Sequence, residues 1–431
     1  MAKNANNKVS IWQSLHNAWK VQDIRKKLIY TFFMLILFRL VGVIPAPGVD
    51  YVRVKSAMSG SNLPLLDLVN MMTGSNFSNM TIMAMGITPY INSSIIMQLL
   101  TIAIPALERL SKSGPEGQKK IASITRYVTV VLAVIQAIGL VYSLGYIKSG
   151  WFNTVLVGVS MAAGTALAMW IGERITANGL GNGVSLLIFA GIISNLFNGF
   201  TSLIANAFSA TSLTPWLTLL AVLLFALVMI VVVTFVDMGV RRIQVQYAKR
   251  VTGRKMYGGQ SSILPLKVCS VGVMPLIFAY SFMAFPSTLI QLFGGSESGL
   301  GLWWSRYMNY YSPLYMIVTA LLIIAFTYFY TSISFQPDEM AKNIQQQGGV
   351  IPHVRPGKPT ADFLARTNNR LTLFAALFLA VLATLPNLFT VGLQTSVPFA
   401  ASSLLIAVSV VLETKRQLDD LLVSRNYDTL T

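Results

Sequence analysis

The chain has very little of what metal sites and catalytic sites are usually built from. Its 431 residues include one cysteine, Cys269, and two histidines, His16 and His353. A single cysteine excludes an internal disulfide. So few histidines and cysteines also exclude a metal site built mainly from imidazole and thiolate ligands. We therefore expect no resident metal or other cofactor.

Charged residues are also scarce. They make up 11% of the chain, whereas 54% of the residues are hydrophobic; a soluble domain is typically about 25% charged. The mean hydropathy is +0.62, and apolar stretches long enough to cross a bilayer recur along the chain. The composition predicts a membrane protein. Its net charge of +17 indicates either an anionic partner or the Lys/Arg bias of cytoplasmic segments.

The apolar stretches predict an all-α polytopic membrane protein with ten transmembrane helices. A polar, basic segment at 1–27 without a cleavable signal pattern precedes them and is expected at the cytoplasmic surface or interface. A cytoplasmic tail at 414–431 follows them. The expected spans are 28–44, 77–102, 127–147, 153–171, 184–205, 213–236, 266–290, 313–334, 371–390 and 397–413.

The placement of the basic residues orients these spans. With both termini inside, the cytoplasmic segments hold 27 Lys and Arg residues and the outer segments hold four. Such an excess is typical of cytoplasmic loops. Arg39 lies inside the first span near its outer end, where we expect its side chain to reach the headgroups; a role in a pore is the alternative.

An odd number of spans in each half gives the halves opposite orientations. The predicted halves are 28–205 and 206–413, which is the topology of an inverted repeat with a path at its interface. The apolar segment 63–73 is too short to span, so it is either re-entrant or an outer-surface helix. The second span carries unusually many polar residues, which favours a position inside the bundle or beside a cavity; hydrogen bonds between helices are the alternative.

Several motifs typical of enzymes are incomplete in this sequence. The glycine-rich run Asn178–Gly183 follows no strand, so a tight entry into the fifth span is a better interpretation than a phosphate loop. Gly357-Lys358 lacks the glycine of a P-loop five positions earlier, where Pro352 stands. The spans contain essentially no carboxylates for hydrolysis or proton-coupled transport. We expect no enzymatic activity.

Two long cytoplasmic loops, 237–267 and 335–370, carry basic residues together with tyrosine, proline and glycine. Loops of this length are usually functional. Their charge suits either an RNA-rich surface or an acidic protein surface.

Five strings then resemble the SecY family of protein-export channels. They are Met85–Ile91 (MGITPYI), Gly179–Ser185 (GLGNGVS), Arg241–Arg250 (RRIQVQYAKR), Tyr257–Ser261 (YGGQS) with Leu264–Lys267 (LPLK), and Val354–Thr360 (VRPGKPT). The resemblance runs in order from about residue 12 to the tail. It implies a bacterial plasma-membrane channel, with both termini cytoplasmic, that passes unfolded secretory proteins and releases membrane segments laterally into lipid.

The resemblance also implies roles for individual residues. A plug at 63–74 would comprise Leu65, Leu66, Asp67, Leu68, Val69, Asn70, Met71 and Met72. An apolar pore ring would comprise Ile87, Ile91, Val184, Ile188, Ile277 and Ile406. A lateral gate would include Asn92, Gln98, Cys269 and Phe285. Docking of the cytosolic partner would fall to Arg242, Arg250, Arg254 and Arg355. Val184 replaces the commoner Ile, and Cys269 stands where the family often has Asn.

The implied partners are the SecA motor ATPase, the translating ribosome with its RNA, SecE, SecG, signal peptides, unfolded secretory proteins and membrane lipids. A secondary transporter of a small solute, built from inverted repeats, is the alternative. It would place charged or coordinating groups at the membrane midplane, where this chain has mainly aliphatic residues, Gly, Ser and Thr.

Overall fold

The computed structural model describes most of the chain. The described residues are 19–49, 76, 79–144, 151–209, 214–247, 250–252, 255–257, 261–269, 272, 274–292, 299–308, 312–393 and 401–428. They belong to two compact units. The first comprises the chain up to Thr211 with Ala284–Asn309 and Ile406–Thr431, and the second comprises Ser212–Met283 and Tyr310–Leu405.

Helices dominate the described residues. In chain order they are α1 Gln22–Val41, α2 Thr88–Ala103, α3 Pro105–Lys112, α4 Pro115–Leu144, α5 Trp151–Asn178, α6 Gly183–Ser209, α7 Thr214–Asp237, α8 Met274–Leu292, α9 Gly299–Tyr307, α10 Pro313–Ser334, α11 Pro337–Gln346, α12 Lys358–Leu393 and α13 Ala401–Asp428. Five short strands are β1 Val240–Tyr247, β2 Arg250–Thr252, β3 Lys255–Tyr257, β4 Ser261–Lys267 and β5 Gly349–Val350.

Several of these helices are suited to a bilayer. Within the described ranges, six helical segments are long and apolar enough to cross one, and the pair α2–α3 makes a seventh if its bent halves form one span. The six are Pro115–Gly139, Trp151–Asn178, Gly183–Ser209, Pro215–Asp237, Pro313–Gln346 and Lys358–Pro386. The helical, polytopic class is therefore confirmed. The count of ten spans and the two predicted halves stay predictions.

In the first unit, α5 packs against α1, α4 and α6, while α2 packs against α4. Helix α2 begins later than expected, because residues 79–87 form turns. Pro89 stands in its first turn, where a missing backbone N–H costs nothing. The chain bends by 102° between α2 and α3, at Ile104, whose extended conformation precedes Pro105 as proline requires.

The two cytoplasmic loops of the sequence analysis fold together within the second unit. Strand β1 pairs antiparallel with β4 along its length, from Val240 opposite Lys267 to Gln246 opposite Ser261. It also pairs with β5 from the second loop, Gln246 opposite Val350. Sequence analysis predicted no strands here, and it started the seventh span at 266. Leu266 is instead buried in the β4 strand, and α8 begins only at Met274.

Candidate functional site

The turn segment 79–87 leads into the candidate pore residues of α2. Ala46 N–H donates to the Met80 carbonyl (3.1 Å), and Ile82 N–H donates to the Ile44 carbonyl (3.0 Å). A Cβ at Gly164 of α5 would lie only 2.1 Å from the Ile82 carbonyl oxygen. Non-helical backbone is tolerated at membrane depth only where protein or a cavity surrounds it. These contacts meet that condition.

Ile87 and Ile91 lie one helical turn apart at the start of α2. Ile91 N–H donates to the Ile87 carbonyl at 3.1 Å. Both side chains are buried, with 6% and 7% of their surface exposed. Because i and i+4 side chains share a helix face, the structure places these two predicted residues side by side.

Val184 and Ile188 form the matching pair on α6. The Asn182 side-chain oxygen accepts from the backbone N–H of Val184 at 3.1 Å, and Gly183 N–H donates to Thr176 Oγ1 at 2.9 Å. A Cβ at Gly183 would lie 1.9 Å from the Gly172 carbonyl oxygen, so only glycine allows this approach to α5. The glycine-rich run is a tight helix entry, as predicted. Ile188 is buried and Val184 half-buried.

The same entry loop contacts α1. Leu180 N–H donates to Thr31 Oγ1 at 2.9 Å, and Leu180 packs in a small buried cluster with Ile24 of α1 and Leu418 of α13. Gly181 has a φ of +83°, a conformation that glycine adopts without strain. Helices α1, α5 and α13 therefore hold the loop from which α6 begins.

The remaining predicted ring residues are Ile277 and Ile406. Ile277 is buried in α8, within the second unit, and Ile406 is buried in α13, within the first. The structure thus places Ile87 beside Ile91 at the start of α2, and Val184 one turn before Ile188 at the start of α6. The ring of six stays a prediction.

The predicted gate residues Asn92 and Gln98 lie half-buried on α2. Among the described residues, the Asn92 Oδ1 atom and the neighbouring Ser93 hydroxyl are buried without a hydrogen-bond partner. A buried polar group left without a partner costs about 1–3 kcal/mol. In the described part of the structure, α2 therefore carries buried polar atoms that no group of this protein satisfies.

Cys269 does not lie on a helix. It occupies the turn between β4 and α8, where its Sγ donates to the Gly272 carbonyl at 3.7 Å. Burial, assisted by the Asp237 carboxylate, raises the pKa of this thiol to about 11. Phe285 belongs to α8, and its side chain lies outside the described part of the structure. The plug residues Leu65–Met72 also lie outside it.

An aromatic cluster joins α8, the helix that carries Phe285, to α10. The Phe278 ring on α8 makes edge contacts with Phe326 and Tyr330 on α10, at centroid distances of 6.0 and 5.8 Å. Phe282 contacts Phe326 at 6.1 Å. None of these residues was predicted from the sequence, although their i, i+4 spacing places two rings on one face of each helix.

Exposed arginines lie on the two folded loops 237–267 and 335–370. Their core is built from Ile243, Val245, Leu266, Ile344, Ile351 and Leu364. Arg242 is exposed on β1 next to this core. Arg250 lies on β2 opposite Tyr257 of β3, with its side chain undescribed, and Arg254 is outside the described residues.

Arg355 is exposed on a loop that is held in place. Thr360, buried at the start of α12, donates its hydroxyl to the Arg355 carbonyl at 2.8 Å. Thr360 N–H donates to the Gly357 carbonyl at 3.0 Å, and Gly357 has a φ of +95°. The charge is thus displayed on ordered backbone. No group of three His, Cys, Asp or Glu side chains that would suit a metal occurs within the described ranges.

Comparison with known proteins gives a consistent result. The family model described as SecY matches residues 81–415. The chain is 41% identical to a protein translocase subunit SecY from Streptomyces scabiei, over 95% of this chain and 98% of the relative. It is 40% identical to the SecY subunit of Halalkalibacterium halodurans, over 97% and 99%.

Solved structures with a similar fold are also translocation channels. A protein-conducting channel superposes with a TM-score of 0.69 at 19% identity, covering 92% of both chains. Sec61 from a canine ribosome–channel complex gives a TM-score of 0.64 at 17% identity, also covering 92% of both chains. At these identities the likeness shows the fold.

Proposed function

The chain belongs to the SecY family of protein translocase subunits, and from this premise we propose that its α2 and α6 line the path of the translocated polypeptide. The observation that carries this proposal is the placement of Ile87 with Ile91 and of Val184 with Ile188. Each pair lies at the start of its helix, and close backbone approaches to α5 hold the segments from which the two helices begin. Members of this family are translocation channel subunits. We therefore propose that the chain has no catalytic activity of its own.

The proposed constriction works through apolar side chains. Aliphatic residues disfavour water and ions in a narrow pore, and they adapt their shape to different passing side chains. Ile277 and Ile406 would complete the ring. Val184 is one methylene smaller than isoleucine, so the seal would be slightly wider at that position. The segment 63–74 would close the outer side as a plug.

A lateral opening would lie beside α2 and α8. The partnerless polar atoms of Asn92 and Ser93 support this assignment, since an incoming signal peptide would supply hydrogen bonds that the closed protein lacks. The contacts of Phe278 with Phe326 and Tyr330 would have to adjust to any movement of α8 against α10. We assign Gln98, Cys269 and Phe285 to the same region.

The basic surface would receive a cytosolic partner. Arg242 and Arg355 are exposed on the two loops that fold together around one apolar core. Arg250 and Arg254 belong to the same loop as Arg242. Two structures of similar fold come from channel complexes bound to ribosomes. We propose that this surface binds the translating ribosome or the SecA motor, that SecE and SecG associate within the plasma membrane, and that both termini are cytoplasmic.

Disulfide crosslinking tests the path. Cys269→Ser removes the native thiol, and single cysteines at Ile188 or Ile277 then report on the pore. Leu227 and Leu321, which are 63% and 61% exposed on α7 and α10, provide matched positions on membrane helices. A secretory precursor with one cysteine is stalled during translocation in vesicles containing the reconstituted complex.

We expect the precursor to crosslink to the pore positions and not to the two leucine positions. Equal crosslinking at all four positions, or crosslinking only at Leu227 and Leu321, would contradict the proposed path. A precursor without cysteine is the control for disulfides formed between channel copies.

A further inference from the structure

Two polar contacts connect α1 to α6 and its entry loop, and sequence analysis anticipated neither. The first joins the Thr31 hydroxyl to the backbone N–H of Leu180, just before α6. The second joins the Arg39 guanidinium to the carbonyl of Ala190, in the second turn beyond the helix start. Thr31 and Arg39 are eight residues apart, so these contacts are separated by about 12 Å along α1.

The Arg39 contact is unusual for a residue in an expected membrane span, here the predicted span 28–44. A guanidinium remains charged at all accessible pH values, and a charge within a membrane span is costly and usually functional. Sequence analysis expected this side chain to reach the headgroups. It is instead half-buried, and it donates to a helix carbonyl at 2.5 Å. A carbonyl oxygen has two lone pairs, so it can accept this bond in addition to its helical one.

The Thr31 contact is equally specific. The hydroxyl donates to the Lys27 carbonyl at 2.8 Å within α1 and accepts from Leu180 N–H at 2.9 Å, so both of its hydrogen-bonding roles are used. A Cβ at Gly179 would lie 2.5 Å from this hydroxyl oxygen. The entry loop therefore lies directly on α1 at this point.

The candidate pore residues Val184 and Ile188 lie between these two attachment points in the chain. A helix fixed at one point can still rotate or tilt, whereas a helix fixed on both sides of a segment holds that segment in one position. We propose that Thr31 and Arg39 are positioning residues, and that α1 clamps α6 so that Val184 and Ile188 keep the closed channel sealed. This role rests on the proposed function of those two residues.

Loss of either contact should loosen the seal. Interhelical hydrogen bonds in membrane proteins have modest individual energies, and removing one is expected to increase the population of displaced α6 roughly threefold to tenfold. The resting channel would then leak small ions in the absence of any precursor. Replacement of Thr31 by serine, which keeps the hydroxyl, should preserve the seal.

A distance measurement tests the clamp without reference to channel function. Spin labels are placed at Phe33 on α1 and Ile193 on α6, which are 59% and 46% exposed, in a Cys269→Ser background of the reconstituted complex. Electron–electron resonance gives the distance distribution between them. We expect a narrow distribution in the parent and in Thr31→Ser, and a broader or shifted one in Arg39→Met and in Thr31→Val.

An ion-efflux assay on proteoliposomes tests the consequence for the seal. Arg39→Met and Thr31→Val are expected to raise the resting efflux rate threefold to tenfold, and Arg39→Lys to raise it less because one donor is kept. Arg306→Met is the matched control, because it removes an exposed arginine on α9. If Arg39→Met does not assemble, Thr31→Val, which changes only a hydroxyl to a methyl group, decides the question.

The two readouts separate the possible failures. An unchanged distance distribution in assembled Arg39→Met or Thr31→Val would refute the clamp itself. A broadened distribution with unchanged efflux would refute its role in sealing. Failure of precursor crosslinking at Ile188 would instead refute the proposed path, whatever the distance measurement shows.

Discussion

Adding one methyl group at Gly164 tests how closely α5 packs against the turn segment 79–87. In the structure, α5 approaches the turn segment 79–87 so closely that a Cβ at Gly164 would lie 2.1 Å from the Ile82 carbonyl oxygen, whereas ordinary contact begins at about 3.4 Å. The obstructing atom belongs to the backbone, so no side-chain rotation relieves the overlap. Either α5 or the turn must move.

Overpacking of this kind typically costs about 1–3 kcal/mol, and we expect Gly164→Ala to fall at the upper end. Gly158→Ala should cost less, because the Cβ would meet the flexible Ile138 side chain at 2.4 Å. Gly299→Ala is the matched control, since nothing lies within 4 Å of the added atom.

The three variants are ranked by thermal unfolding of the purified protein. Unfolding is monitored as the loss of the monodisperse peak on size-exclusion chromatography. The expected order of destabilisation is Gly164→Ala, then Gly158→Ala, then Gly299→Ala. A Gly164→Ala protein as stable as the Gly299→Ala protein would refute the close approach, and with it the account of how Ile87 is held.

Three further outcomes are expected. Arg355→Glu should impair export while leaving the melting temperature within about 1 °C of the parent, because only an exposed loop charge is changed. Normal export by this variant would remove Arg355 from the proposed docking surface. Thr360→Val, which loses the hydrogen bond to the Arg355 carbonyl, should show a milder export defect. Cys269, with a pKa of about 11, should be a thiolate in about one molecule per thousand at pH 8. Maleimide should therefore label it far more slowly than a free cysteine, and the labelling rate should rise about tenfold per pH unit. A labelling rate that stops rising near pH 9 would contradict the burial of this thiol. Arg126→Ala should cost only about 0–1 kcal/mol, since its 2.7 Å ion pair with Glu173 is partly exposed, and a larger loss in denaturant unfolding would indicate another role for Arg126.

Much of the membrane part could be predicted from the sequence, because lipid demands long apolar helices and the glycine-rich run marks a tight turn. The strand β1 also left a signal, since Ile243 and Val245 alternate with polar residues as a half-buried strand does. The prediction treated 237–267 as a loop between two spans and did not use this alternation.

Other features leave no local trace. The acceptor of Arg39 is a backbone carbonyl 151 positions away, and every residue type presents the same carbonyl. The segment 79–87 has the apolar composition of a helix and was predicted as one. It forms turns instead, and their conformation depends on the approach of Gly164 from another helix. Tertiary contacts, which no single window contains, decide such sites.

The sheet formed by β4, β1 and β5 has a consequence for the order of events during synthesis. Tyr247 and Gln347, which are 100 residues apart, meet where β1 pairs with β5. At about 5–20 residues per second, β1 waits roughly 5–20 s for that neighbour, and the Arg355 loop is made only after it. A half-made chain therefore cannot present the complete docking surface.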